Sequence, residues 1–457
     1  RDSSTSRGLG DVYKRQMKWW RDGKFGMFIH YGLYSGLAGE IQGKKYKGCV
    51  EWIMQYSGVD SETYAREALP RFKPKRGKAE TWVKLAKEAG CVYTILTSRH
   101  HEGFNMFDSK FSDFNVKTTK GVDIVKEYAE ACKKYGMKAG YYFSLLDWSH
   151  PDYDPTGSGI SYPKGNYEAQ KQGRRQFGNH EKYKDSFYGW YWVYEVDNLN
   201  FKSKNDFKIL STAVNINLDY MEDNNMRLPF MMSPFMNSKY STSQAYAYNW
   251  RYFFSLTNFK RGDIFCPQDS VGGGGLTIKE VAGWFNALGK AAKSKSGLLF
   301  WANVETFNHN DWSSAPIKRF IKQMRLENPF VDNIITFAYS HYYSPNNINN
   351  GFHRAYKTYL YQHKIHNKSP HAPKWSKLIK SNNQTVIQWE TSQNTAAYKL
   401  FCNGRKIYSP SVQRKYGGNK NQSLGQFNHK NSPDNSKYEI QSVDFWGNVS
   451  KKATIKK

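Results

Sequence analysis

Eight short apolar runs, each followed by a stretch of helical periodicity, constrain this chain more than any other feature. The runs fall at 25–31, 92–97, 138–146, 187–196, 229–235, 263–267, 298–304 and 334–339. Between them, 80–88, 123–135, 207–221, 244–254, 278–292 and 317–326 place apolar residues at helical spacing. Gly90 and Gly136 sit where the first two of these helices should stop. Parallel strands cannot be joined by a tight hairpin and need a long crossover, so strand and helix signals in strict alternation predict a parallel sheet. Eight such units predict a closed (β/α)8 barrel, an α/β fold, over residues 17–366. A doubly wound open sheet is the alternative. It calls for a Gly-rich loop after the first strand, whereas the Gly-rich stretch here, 272–275, follows the sixth.

The texture changes after Lys368. Residues 369–373 read as a Ser/Pro linker, and then come short alternating runs at 385–389, 397–401 and 438–443. Asn403-Gly404 is a hairpin signal. A small all-β sandwich is expected over 374–457. Residues 1–16 are polar and basic, lack an apolar core, and are expected to be non-native or disordered. No apolar run is long enough to span a bilayer.

The formal net charge of +28 favours polyanions in general. The Lys and Arg residues are scattered, however, and no nucleic-acid-binding motif accompanies them, so no nucleic-acid partner is expected. Five cysteines at wide spacing, with no CxxC, indicate neither a disulfide framework nor a zinc site. Cys91, Cys132 and Cys266 fall in apolar stretches and are expected in the core. No cofactor is called for. Aromatic residues make up 16% of the chain, which suits ring stacking on sugars as well as core packing.

In such barrels the chemistry gathers at the C-terminal ends of the strands. Every run here ends in polar residues: His30; Arg99-His100-His101; Asp147-Trp148; Glu195-Val-Asp197; Asn237; Gln268-Asp269; Glu305; and His341. Together they supply the donors and acceptors that a polyhydroxylated ligand needs. Glycoside cleavage requires two carboxyl groups, one protonated and one ionised. Glu195 and Glu305 are the best-placed pair, with Asp197 in reserve as a catalytic carboxylate. Asn237, Asp269, Trp301 and His341 are candidate substrate contacts, and so are Trp52 and Trp148. Adjacent His100 and His101 should diverge at a strand end, which argues against a metal.

Over about 18–185 the chain resembles the α-L-fucosidases of glycoside hydrolase family 29. The resemblance is carried by Trp20-Arg-Asp-Gly-Lys-Phe-Gly-Met-Phe-Ile-His30, by Glu51-Trp52, by Leu96-Thr-Ser-Arg-His-His-Glu-Gly-Phe104, and by Tyr142-Phe-Ser-Leu-Leu-Asp-Trp148. It implies that His30, Glu51, His100, His101 and Tyr142 line a fucose subsite. The nucleophile segment that this family carries after its fourth strand has no match here. Over about 186–361 the chain instead resembles a barrel family of unknown function, numbered 4434, through Gly189-Trp-Tyr-Trp-Val-Tyr-Glu195, Ser233-Pro-Phe-Met-Asn237 and Phe300-Trp-Ala-Asn-Val-Glu305. The barrel thus changes resemblance near residue 185. The C-terminal runs are similar to a fibronectin type III module. The expectation is an α-L-fucosidase that releases terminal fucose from glycoconjugates, outside the cell or at its envelope. Its partner would be a fucosylated glycan or another oligosaccharide. The rivals are an exo-glycosidase of other specificity, an inactive sugar-binding barrel and a basic polyanion binder.

Overall fold

The computed structural model describes residues 25–144 and 187–456, apart from 47, 110–111, 120–121, 193–194, 224–226, 346–349, 363, 382–383, 393, 410–423 and 433–434. All eight expected strands form. They are β1 (Phe25–Ile29), β2 (Tyr93–Arg99), β3 (Lys138–Phe143), β4 (Phe187–Trp192), β5 (Phe230–Met232), β6 (Ile264–Phe265), β7 (Leu299–Glu305) and β8 (Asn333–Phe337). They close in sequential order into a barrel in which every neighbouring pair is parallel. The ladder crosses the point where the resemblance changes, since β3 pairs with β4 through Gly140 and Gly189. It also joins the two ends of the barrel, since β1 pairs with both β2 and β8.

Strand period two decides what fills the barrel. Phe28, Tyr93, Ile95, Tyr142, Tyr191, Met231, Ile264, Cys266, Trp301 and Ile335 point inward and make one buried cluster. The interior is therefore packed, as the fold requires, rather than an open channel. The opposite parity faces the helices. Phe265 and Phe300 stack there with ring centroids 6.0 Å apart, and Phe285 packs on Phe300.

The helices follow the expected rhythm. Three short ones, α1 (Leu33–Leu37), α2 (Ile53–Ser57) and α3 (Ser61–Ala68), fill the β1-to-β2 connection ahead of α4 (Lys78–Glu88). The three had no clear signal, because each is too brief to show periodicity. Next come α5 (Ile124–Tyr135), α6 (Lys204–Asp223), α7 (Ser243–Leu256), α8 (Val281–Ala292) and α9 (Ile317–Glu327). In α5 the Asp123 carboxylate accepts from the Lys126 N–H at 2.9 Å, and Gly136 ends the helix at φ 64°. That is the capping chemistry its sequence announces.

The chain divides into two compact units, 1–305 with 323–338, and 306–322 with 339–457. Among the described residues the second holds helices α10 (Tyr339–Tyr342) and α11 (Asn350–Gln362), a two-stranded ribbon of Phe307–Asn308 and Ser313–Ser314, and seven further strands. The strands are β9 (Ser376–Ser381), β10 (Gln384–Glu390), β11 (Ala397–Cys402), β12 (Arg405–Tyr408), β13 (Leu424–Lys430), β14 (Tyr438–Val443) and β15 (Ala453–Thr454). Sheet β9-β10-β13 and sheet β12-β11-β14-β15 share a core of Ile387, Trp389, Tyr398, Leu400, Tyr438 and Ile440. Within this unit Gly351 and Phe352 press against Phe445, and the Ile317 N–H donates to the Phe445 carbonyl at 3.0 Å. All five cysteines are buried and none forms a disulfide. No helix among the described residues is long and apolar enough to cross a membrane.

Candidate active site

The inward parity of β1 and β3 continues to the barrel mouth and presents His30 and Tyr142 there. His30 meets Tyr142 edge-on at 5.2 Å and His100 at 5.7 Å, and His100 stacks on Tyr142 at 5.4 Å with only 14° between the planes. Trp52 closes the group, with its ring 5.0 Å from His101 and 6.0 Å from His100. His101 is fixed by the Ser144 hydroxyl at 2.9 Å from its Nδ1. Adjacent His100 and His101 do not diverge as their strand-end position suggested: their rings meet edge-on with centroids 4.8 Å apart and planes 70° apart. Among the described residues no group of three or more His, Cys, Asp or Glu side chains is placed to hold a metal ion. Glu102, from the same His-His-Glu motif, works structurally. Its carboxylate accepts from the Leu33 N–H at 3.0 Å and from the Tyr64 hydroxyl, which ties α1 and α3 to the end of β2.

Burial decides the charge state of His100. His100 is 3% exposed and its Nδ1 has no hydrogen-bond partner. Burial, then the neighbouring His101 and His30, hold its pKa well below the ordinary histidine value, so it stays neutral. Tyr142 feels the charges of both Glu195 and Glu51, which add to burial in raising its pKa. The first-half imidazoles and the second-half acid therefore converge on one phenol.

Glu195 accepts from the Gln268 side-chain N–H at 2.8 Å. Gln268 is inward-facing by parity with Ile264 and Cys266, and its Nε2 also reaches the Ser233 carbonyl. Asn303, the inward neighbour of Trp301, donates to the Ser233 hydroxyl at 3.1 Å. A layer of amides and hydroxyls thus roofs the apolar interior beneath the mouth. Burial, followed by the charges of Glu51 and Asp197, raises the pKa of Glu195 against the lowering effect of Gln268. A carboxyl so placed keeps its proton to higher pH than an exposed one.

Glu305 ends β7 and is 1% exposed. Its carboxylate accepts from the Gly273 N–H at 2.6 Å. The Gly-rich 272–275 loop thus grips this carboxylate. Glu305 adds its field to Glu327, whereas Glu51 and Asp197 are the charges that bear on Glu195.

Several expected contacts fall elsewhere. Trp301 is fully buried against Tyr93 in the barrel interior, so it cannot stack on a ligand. Its strand position lies too near the N-terminal end. Asp269 takes the parity opposite to Gln268, is fully buried, and accepts from the Val271, Glu305 and Gln323 N–H groups, so it braces the scaffold. The Asp197 carboxylate is committed to its own turn, where it accepts from Leu199 and Asn200 at 2.7 and 2.8 Å. These bonds give it a structural role in the turn, apart from its expected place as reserve catalytic carboxylate. Asn237 likewise builds a turn with Asn198 and Lys239 rather than facing a ligand. His341 lies in the second unit on α10, beside Ser340 and Tyr342. Trp148 lies outside the described residues, as does the segment 1–16. Gln268 was read only as a polar strand end, and Ser233 and Asn303 were missed as site residues. The parity of the buried cluster, read two residues further along each strand, is the signal that finds them.

Residues 38–349 match the protein family described as "Domain of unknown function (DUF4434)", a match that spans residue 185. An α-L-fucosidase of Dictyostelium discoideum is 33% identical over 150 residues, covering 30% of this chain and 32% of that protein. The tissue α-L-fucosidase of Bos taurus is 33% identical over 142 residues, covering 30% of each. The match spans about a third of the length of these relatives. Among solved structures, an α-L-fucosidase GH29 from Bacteroides thetaiotaomicron overlays with a TM-score of 0.49 at 16% identity, covering 90% of this chain and 94% of that one.

Proposed function

The chain belongs to the DUF4434 family, and on that premise we propose that it is a glycoside hydrolase that releases terminal α-L-fucose. One observation carries the reading. At the mouth of a closed barrel, Tyr142 stacks on His100 while feeling the charges of Glu195 and Glu51. Neutral imidazoles can donate to or accept from sugar hydroxyls, and the carboxyls supply the acid and the base that cleavage needs. The likeness over about a third of two α-L-fucosidases favours fucose as the sugar.

In this reading Glu195, its pKa raised, gives a proton to the leaving oxygen. Gln268 orients its carboxyl. Glu305, pinned by Gly273, is the second carboxyl. His30, Glu51, His100 and His101 hold the sugar, and Trp52 offers a stacking face. The seven-stranded module, built of a three-stranded and a four-stranded sheet, acts as a spacer or binding appendage. A glycoconjugate substrate suits an extracellular or envelope location.

The test is turnover of an aryl α-L-fucoside. Glu195→Gln and Glu305→Gln should each lower kcat by about 10²–10⁴-fold, the usual range for a lost acid–base group. Full turnover by Glu195→Gln removes that residue from the mechanism. Activity only on a different aryl glycoside would select the other exo-glycosidase reading. Fucose binding without any turnover would select an inactive sugar-binding barrel.

A further inference from the structure

Behind Glu305 lies a carboxyl that the proposed mechanism does not use. Glu327 is the last residue of α9, one turn beyond Gln323 on the same helix face, and both side chains are fully buried. Neither Glu327 oxygen receives a hydrogen bond from a protein donor. Its neighbour is the Asp269 carboxylate, with Glu305 and Cys266 as the other titratable groups in its field. Asp269, by contrast, accepts from the Val271 N–H at 3.1 Å, the Glu305 N–H at 3.3 Å and the Gln323 amide. Asp269 is thus solvated as an anion. Two ionised carboxylates cannot share a fully buried site with protein donors supplied to only one of them. A proton on Glu327 removes the repulsion and creates the missing donor.

We propose that Glu327 is a neutral carboxylic acid that donates to Asp269, and that the resulting Glu327–Asp269–Glu305 chain is what positions Glu305. The chain acts through backbone on both sides of the site. One Asp269 oxygen holds the Glu305 N–H at the end of β7. The same oxygen holds the Val271 N–H, which starts the loop whose Gly273 N–H grips the Glu305 carboxylate. Gln323 braces the arrangement by donating both to Asp269 and to the Glu305 carbonyl, the latter at 3.1 Å. Glu327 is a positioning residue and does not touch the ligand. Its pKa is pushed well above the ordinary carboxylate range by burial first, then by Asp269 and Glu305. The role of Glu305 rests on the glycosidase reading; the protonation of Glu327 does not.

Infrared difference spectroscopy of the full chain at neutral pH, wild type against Glu327→Gln, tests the proton directly. A protonated carboxylic acid band should vanish in the variant. Loss of an ionised carboxylate band instead overturns the proposal, whatever the enzyme does. Thermal unfolding gives a second check. A raised folded pKa means that wild-type stability falls as pH rises above the unfolded value of about 4.5. The Gln variant should lack that part of the slope, and identical slopes overturn the proposal. If aryl fucoside is turned over, Glu327→Leu should lower kcat by about 10²-fold with KM unchanged. Glu327→Gln, which keeps a donor, should recover most of that loss. Absence of all turnover would fail the glycosidase reading, while the spectra would still judge Glu327.

Discussion

At the residue scale, burial rather than identity separates the acids of this chain. Glu195 is partly buried with one amide donor, and Glu305 is nearly enclosed on a backbone N–H. Asp197 is spent on a turn. The same logic governs His100. Its folded pKa lies well below 6.5, so below that pH the unfolded chain binds a proton that the folded site refuses. Stability should therefore fall as pH drops through about 6.5 toward the folded value. A His100→Gln variant should lose less melting temperature than wild type between neutral pH and about pH 5. An equal loss in both would show that the imidazole is solvated after all.

At the element scale, the β6-to-α8 connection is the part whose conformation matters most to the site. Gly275 lies against neighbouring backbone, and a Cβ there would stand 2.1 Å from the Met236 carbonyl oxygen. Backbone cannot step aside as a flexible side chain can, so the loop must move. Gly275→Ala should lower kcat by roughly 10²-fold, because Gly273 no longer meets the Glu305 carboxylate. Circular dichroism should report an unchanged helix and strand content. Retained turnover in a folded variant would detach this loop from the chemistry. At Gly273 itself an added Cβ would stand 2.7 Å from the Phe235 ring edge, a milder conflict.

At the scale of the whole molecule, the barrel is held by large rings in its interior rather than by its mouth. Trp301 is fully buried with its ring 5.6 Å from Tyr93, and the Tyr93 hydroxyl donates to the Ile334 carbonyl at 3.3 Å across the β1–β8 closure. Trp301→Ala should cost about 3–5 kcal/mol of stability, as large aromatic truncations in cores do. It should leave KM unchanged in the folded fraction. Denaturant unfolding and steady-state kinetics measure the two separately. A rise in KM with unchanged stability would return Trp301 to the ligand-contact role that its sequence position suggested.

The strand and helix count followed from local pattern, because apolar periodicity and Gly stops are properties of short segments. All eight barrel strands were legible in this way. So were the polar strand ends His30, His100, His101, Glu195 and Glu305, whereas Glu51 and Tyr142 came only from the family resemblance. What local pattern could not decide was which polar ends face the mouth. Gln268 and Asp269 are adjacent, yet one orients Glu195 and the other braces β7, because consecutive strand residues point to opposite faces. Trp301 looked like a sugar platform until the register set it low in the interior. Glu327 had no signal at all, since its importance comes from meeting Asp269, which is distant in sequence, where both side chains are fully buried. Residue order along the chain determines the elements and their chemistry. Closure of the sheet decides which groups are buried together, and burial decides which of them hold protons.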